Sequence, residues 1–334
     1  MNDGTRAETQ TDAGMALAEF STRISGLSLS PLWERKARLV PGSDCVPAIW
    51  RYAQMRPLLA EAAELITKKQ AERRVLVMEN PSLRGTSFIT NALYAGLQII
   101  KPGEVAPSHR HTPSALRFVV EGEGAYTAVS GQRLPMRPGD FVVTPPWAWH
   151  DHANEGDEPV VWLDGLDTPF AQLFGAHFRE NWPEDRYPLN DGRAAQQQLQ
   201  QQPPLHYAFA DTLDTLRTMA RDVAPHPAHG HRLRYGGDAH TGHPFRTMAA
   251  FMQRLPAGFR GRPHRSTDGT VFNVAQGRCR VEMSGTVHAL LPHDTFVVPP
   301  WEPLRFEADD EALLFSFSDR AAQEALGYWR EESL

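Results

Sequence analysis

The chain repeats itself. Ser108-His109-Arg110-His111-Thr112 returns as Pro263-His264-Arg265-Ser266-Thr267. The apolar run Leu116 to Gly122 returns as Val271 to Gly277, and Asp140 to Trp147 returns as Thr295 to Trp301 after a one-residue shift. A unit that recurs at long range is one supersecondary structure used twice. Within the first copy, from Phe88 to Asp164, short apolar runs alternate with Gly, Pro or Asn turns, the pattern of an all-β barrel or sandwich. The duplication therefore predicts a mainly β protein built from two tandem barrels.

Three histidines of the first copy carry the chemistry. His109 and His111 are two residues apart, which on a strand places both rings on one face. His150 follows a second apolar strand, Phe141-Val142-Val143-Thr144, and a Pro145-Pro146 turn. If those strands are neighbours, three imidazoles converge, and three neutral nitrogens can hold a divalent first-row metal with coordination positions left open. The competing expectation is that the rings merely fill a barrel. The second copy acts as a control. His264 matches His109, but Ser266 replaces His111 and Leu304 replaces His150. Leucine cannot ligate, so the second barrel is expected to be metal-free. The histidine-rich stretch with His226, His229, His231, His240 and His243 is a Gly/Pro-rich loop, and nothing in it fixes rings in a converging geometry. It is expected to be exposed or to pack between the lobes.

Gly103 to Gly122 and Gly139 to Asn154 resemble the first and second cupin motifs. The usual glutamate-ligand position is Ala115, so the site reads as three histidines without a carboxylate. Among cupins, this resembles gentisate 1,2-dioxygenase and its salicylate and 1-hydroxy-2-naphthoate relatives. Tyr94-Ala95-Gly96-Leu97-Gln98, Ala115-Leu116-Arg117-Phe118, Trp149-His150-Asp151-His152 and Trp162-Leu163-Asp164-Gly165-Leu166-Asp167 are similar to segments of that family. The resemblance implies a bicupin, two tandem double-stranded β-helix (jelly-roll) barrels with N-terminal and linker helices. It implies one Fe(II) per chain in barrel 1, held by His109, His111 and His150. It also implies conversion of gentisate (2,5-dihydroxybenzoate) and O2 to maleylpyruvate, by a homotetramer. The alternatives are the same cleavage of salicylate, a substituted salicylate or 1-hydroxy-2-naphthoate. Below those stand a metal-dependent cupin isomerase or hydrolase and a non-enzymatic binding bicupin.

Further residues can be placed around the metal. Arg117 lies among apolar strand residues, and a buried arginine needs a partner, for which a substrate carboxylate is suitable. His152, two past His150, faces the same side and can bond a substrate oxygen or handle a proton. Gln98 and Asp164 are polar positions amid apolar strands. Each is either a satisfied core hydrogen bond or part of the active site, as family positions imply. The resemblance adds Arg73 to the carboxylate pocket. It also makes Tyr94 a substrate contact that leans toward gentisate, because salicylate-cleaving relatives can carry tryptophan there. The catalytic set is thus His152, Arg117 and Asp164. The substrate-binding set is Arg73, Tyr94, Gln98, Arg117 and His152.

The remaining features set bounds. A formal net charge of −6 argues against a nucleic-acid partner. No long uncharged apolar run suggests a membrane span. The two cysteines, Cys45 and Cys279, are too few for a disulfide framework, and a cytoplasmic location is expected. The expected segments are an N-terminal arm and helical region (1–85), barrel 1 (86–170), a linker with helices (171–245), barrel 2 (246–318) and a C-terminal helix (319–334). Met1 to Gly14 is expected to be disordered, with helix from Met15 to Leu27. Further helices are expected near 49–69 and 211–224, and a strand near 75–78.

Overall fold

The computed structural model describes residues 4–190, 204–237, 240 and 242–334. It divides into two compact units, Met1–Pro41 and Gly42–Leu334. In the first, a helix runs Gly4–Gly26, followed by a short turn of 3-10 helix at Leu32–Glu34. Helix thus begins well before Met15, where the sequence predicts disorder. Residues 5–10 lack an apolar stripe but include good helix formers, so local propensity favours extending the helix. The glutamine-rich stretch expected to be linker lies mostly outside the described residues.

The larger unit is two barrels, each drawing on two antiparallel sheets. In barrel 1 one sheet orders His206–Tyr207, Phe141–Thr144, Ala115–Glu121, Val160–Leu166, Tyr94–Ile100 and Arg74–Val77. The other orders Arg179–Asn181, Val105–His111, His150–Asn154, Ala125–Val129 and Gln132–Met136. Barrel 2 repeats the plan. Ala48–Trp50, Thr295–Val298, Thr270–Gln276, Ala312–Ser318, Ala249–Leu255 and His231–Arg234 form one sheet. Thr286–Leu290, Cys279–Met283, Leu304–Ala308, His264–Ser266 and Glu331–Ser333 form the other.

The duplication holds down to register and side chains. His109 pairs across strands with His150, and His264 pairs with Leu304. Arg110 bonds Glu180 and covers the Trp147 ring, while Arg265 bonds Glu332 and covers Trp301. Gly122 and Gly277 occupy matching turns at φ of 83° and 75°. A Cβ would meet the Pro159 carbonyl oxygen at 2.2 Å in one and that of Glu311 at 2.3 Å in the other. Gly122→Ala and Gly277→Ala are each expected to cost about 2 kcal/mol or more, because both backbone strain and a backbone clash oppose the methyl. Paired thermal melts check this, and an unshifted Tm in either variant contradicts it.

Strand Ala115–Glu121 is buried at every position but the last, so it reads as a continuous apolar run rather than an alternating one. Ala115 and Arg117 line a cavity on one face. On the other face Phe118 stacks flat on Phe315 of barrel 2, ring centroids 4.3 Å apart. One apolar core accordingly runs through both barrels, from Leu97, Val119 and Trp162 to Met252, Phe315 and Phe317. A second core, with Phe272, Phe296, Leu304 and Phe306, fills the interior of barrel 2. Leu304 belongs to that filling, which is why the position matching His150 is apolar.

Segments outside the repeats tie the barrels together. Ala48–Trp50 pairs into barrel 2, helix Tyr52–Leu65 follows, and Arg74–Val77 pairs into barrel 1. His206–Tyr207 pairs into barrel 1, helix Phe209–Asp222 follows, and His231–Arg234 pairs into barrel 2. The C-terminal helix is shorter than expected. It spans Arg320–Ala325, because Gly327 at φ 73° ends it, and the chain then forms strand Glu331–Ser333 against His264–Ser266. Cys45 and Cys279 are buried free thiols. No helix among the described residues is long and apolar enough to cross a membrane.

Candidate metal centre and its pocket

His109 and His111 come from strand Val105–His111, and His150 opens the neighbouring strand His150–Asn154. Their ring centroids lie 5.3 Å (His109–His111), 4.2 Å (His109–His150) and 4.8 Å (His111–His150) apart. One nitrogen from each falls within a single group suited to a metal ion, and all three residues are buried.

The backbone fixes each ring in the same way. Nδ1 of His109 donates to the Pro107 carbonyl at 3.1 Å, that of His111 to Pro113 at 2.7 Å, and that of His150 to Ala148 at 2.9 Å. A ring that donates through Nδ1 carries its lone pair on Nε2. His150 Nε2 is buried without any hydrogen-bond partner. Burial pushes all three imidazoles below the usual histidine range, His111 to about 4, so the rings are neutral. Three oriented neutral donors, one of them orphaned, fit a divalent cation.

A cavity of about 310 Å³ adjoins the triad. His111, Arg73, Tyr94, Gln98, Arg117, His152 and Asp164 all line it, so the structure brings every candidate site residue to one place. Arg117 is 3% exposed and donates from Nη1 to Thr144 Oγ1 at 2.6 Å. Its Nε forms an ion pair with Asp164 Oδ1 at 3.7 Å, too long for a hydrogen bond, so the Nε–H has no acceptor. Arg73 lies with its guanidinium against the His109 ring, and its Nε–H is likewise buried without an acceptor. Burial pushes both arginines down to about 10. Burial pushes Asp164 up to about 6, opposed by Arg117 and by the Trp162 indole N–H, which donates to it at 2.9 Å.

His152 is buried deeper than the triad's edge. The Thr127 hydroxyl contacts both Met136 Sδ at 3.2 Å and His152 Nδ1 at 2.8 Å. Given to sulfur, that proton leaves the Thr127 oxygen to accept from Nδ1–H and makes His152 Nε2 a lone-pair acceptor; given to Nδ1, it makes Nε2 the donor.

Sequence reasoning passed over several cavity residues: Thr86, Ser87 and Phe88 in one loop, and Thr168, Gln172 and His177 beyond barrel 1. They lie on turns and a short helix without periodicity, so no local signal marks them. One histidine of the stretch expected to be exposed or to pack between the lobes is buried inside barrel 2 instead. His229 meets His264 and Glu331 in barrel 2.

Residues 96–165 match the cupin domain family. Fold and site together define a double-barrel cupin whose first barrel carries a three-histidine metal-binding triad. The chain is 44% identical over 330 residues to gentisate 1,2 dioxygenase 1 of Aquipseudomonas alcaligenes, covering 94% of this chain and 95% of that one. It is 33% identical over 355 residues to a gentisate 1,2-dioxygenase of Streptomyces sp, covering 99% and 98%. Salicylate 1,2-dioxygenase from Pseudoaminobacter salicylatoxidans, solved with gentisate, matches with a TM-score of 0.86 at 32% identity, covering 95% and 94%. Gentisate complexes of that enzyme also exist for a tryptophan-to-tyrosine variant and for a glycine-to-alanine variant two positions further on. The chain belongs to the gentisate 1,2-dioxygenase family.

Proposed function

We propose that this protein is an Fe(II)-dependent dioxygenase that opens the ring of gentisate with O2 to give maleylpyruvate. One juxtaposition carries the reading: three neutral imidazoles stand beside two buried arginines whose Nε–H groups have no acceptor. A triad without a carboxylate leaves a divalent charge uncompensated, and the arginines require an anion. A 2-hydroxybenzoate supplies both needs through its carboxylate and phenolate. Iron(II) bound by His109, His111 and His150 would supply the oxygen and one-electron chemistry.

The protein's own groups hold the substrate and its proton. Arg117 grips the carboxylate, fixed in place by Thr144 and balanced by Asp164. Arg73, set against the His109 ring and lining the same cavity, is the second cation that would face the carboxylate. His152 Nε2 accepts the phenolic proton, and Gln98 and Tyr94 bound the ring edge. The cavity is at the small end for ligand pockets, which suits a single ring.

Salicylate is the second reading, favoured by the match to a salicylate enzyme. Gentisate ranks first because its 5-hydroxyl activates the ring. A Cβ on Gly96 would meet Val75 Cγ1 at 2.6 Å and the Tyr94 hydroxyl at 3.1 Å, so these positions shape one wall. After anaerobic iron loading, kcat/KM for gentisate is expected to exceed that for salicylate by at least about a hundredfold, and Tyr94→Trp to narrow the gap about tenfold. Equal turnover of salicylate overturns the substrate assignment. No oxygen uptake with either acid points to an isomerase or hydrolase, and failure to take up iron points to a binding protein.

The assembly we propose is a cytoplasmic homotetramer. Leu27, Leu29, Leu32 and Trp33 of the N-terminal unit are 58–77% exposed, an apolar stretch suited to packing on another subunit. Light scattering tests the mass.

A further inference from the structure

We infer that barrel 2 binds a divalent first-row cation of its own, through His229, His264 and Glu331. The cupin positions of this barrel do lack the triad, since Ser266 and Leu304 stand where ligands would be. A different donor set takes their place. His264 keeps the position of His109. Ser266 lies directly opposite Glu331 in the pairing of His264–Ser266 with Glu331–Ser333. The small serine side chain leaves room for the Glu331 carboxylate to reach the ground that an imidazole covers in barrel 1. His229 arrives from a tight turn just before strand His231–Arg234. Reciprocal backbone bonds between His226 and Gly230, at 2.8 and 2.9 Å, close that turn, and the His226 ring stacks on His229. The loop that its composition suggested was unconstrained is therefore a fixed platform.

The donors converge. One atom from each of the three residues lies within 4.8 Å of the others. The rings of His229 and His264 meet edge to face at 4.2 Å, and His229 Nε2 is 3.1 Å from Glu331 Oε1. His264 is 7% exposed and its Nδ1 is buried without a hydrogen-bond partner, so the ring is not satisfied by the protein alone. Burial keeps both imidazoles neutral. The charged lining is balanced, with Asp268, Glu302 and Glu331 set against Arg232, Arg265 and Arg320, so the three acids offset the arginines that would oppose a dication. Two imidazoles with one carboxylate suit zinc or iron(II).

Size sets the role. The cavity here is about 30 Å³, room for an ion and a water but not for an aromatic acid. The ion is therefore a clamp rather than a second catalytic centre. It joins the 226–230 turn, a barrel strand and the C-terminal strand.

The test uses tag-free full-length protein, stripped of metal and equilibrated by dialysis with Zn(II), with metal per chain read by elemental analysis. Two ions are expected for wild type and one for Glu331→Gln. One is expected for the double variant His111→Ala/His150→Ala, and none when Glu331→Gln is added to it. Zn(II) should raise the Tm of the His111→Ala/His150→Ala protein but not that of the triple variant. Glu331→Gln alone, reloaded with iron(II), should keep wild-type turnover, because Glu331 does not touch the barrel 1 cavity. Saturation of wild type at one ion, or no difference between Glu331→Gln and wild type, overturns the inference. Neither count depends on which acid barrel 1 cleaves.

Discussion

Replacing His111 with alanine is expected to abolish ring cleavage and metal retention by barrel 1 together, while the fold stays intact. His111 sits at the rim of the triad and lines the substrate cavity, so its removal enlarges an existing space rather than opening a hole in the core. Its ring is aimed by the Pro113 carbonyl, and the nearest spare imidazole, His177, lines the same cavity from outside the triad. Two imidazoles remain, His109 and His150, too few to hold the ion against dissociation. Loss of the metal's contribution, several kcal/mol at the least, corresponds to about a thousandfold or more in kcat/KM. Turnover followed at the ultraviolet band of the ring-opened keto acid, with metal per chain measured on the same sample, decides the matter. A variant that keeps a tenth of its turnover would remove His111 from the ligand set.

Arg117 should give the second large effect, and one that separates charge from geometry. Arg117→Met removes the cation that faces both the cavity and Asp164. Truncating one member of a buried charged pair costs about 2–5 kcal/mol, or roughly thirtyfold to several thousandfold in kcat/KM if the substrate carboxylate is its partner. Arg117→Lys keeps the charge but loses the fork, so it should fall between and act mainly through KM. A pH profile supplies the independent check. Burial already holds the Asp164 carboxyl at about 6, with Arg117 pulling it down. Without Arg117, that ionisation should move upward, and Asp164→Asn should erase it. An unchanged profile would mean that Arg117 and Asp164 do not sense each other.

Much of this was legible in the chain, and the limits have physical causes. The repeat exposed the barrels because both copies keep their turn glycines and Pro-Pro-Trp corners. The spacing of His109, His111 and His150 suffices to place their rings together, since strand alternation fixes the face and the turn fixes the return. Arg117, Gln98 and Asp164 stood out as polar residues in apolar strands. Other parts were hidden. Ala48–Trp50, His231–Arg234 and Glu331–Ser333 are short strands, paired with Thr295–Val298, Ala249–Leu255 and His264–Ser266, and segments so short carry little local signal of a partner. The convergence of His229 with His264 and Glu331 depends on two such strands. Thr86 to Phe88 and His177 reach the cavity from loops, where only the folded chain decides what is near.

The stacked pair Phe118 and Phe315 has one more consequence. Gly165, next to Asp164, is bare because the ring of Phe317 presses there, with the nearest ring carbon 2.6 Å from where a methyl would sit. The back half of the molecule is thus a buttress for the wall that carries Arg117 and Asp164. Cutting the polypeptide between its halves would not liberate a miniature enzyme. It would bare a sheet of phenylalanine, leucine and methionine on each piece, and activity should return only when the two pieces are made together and find one another.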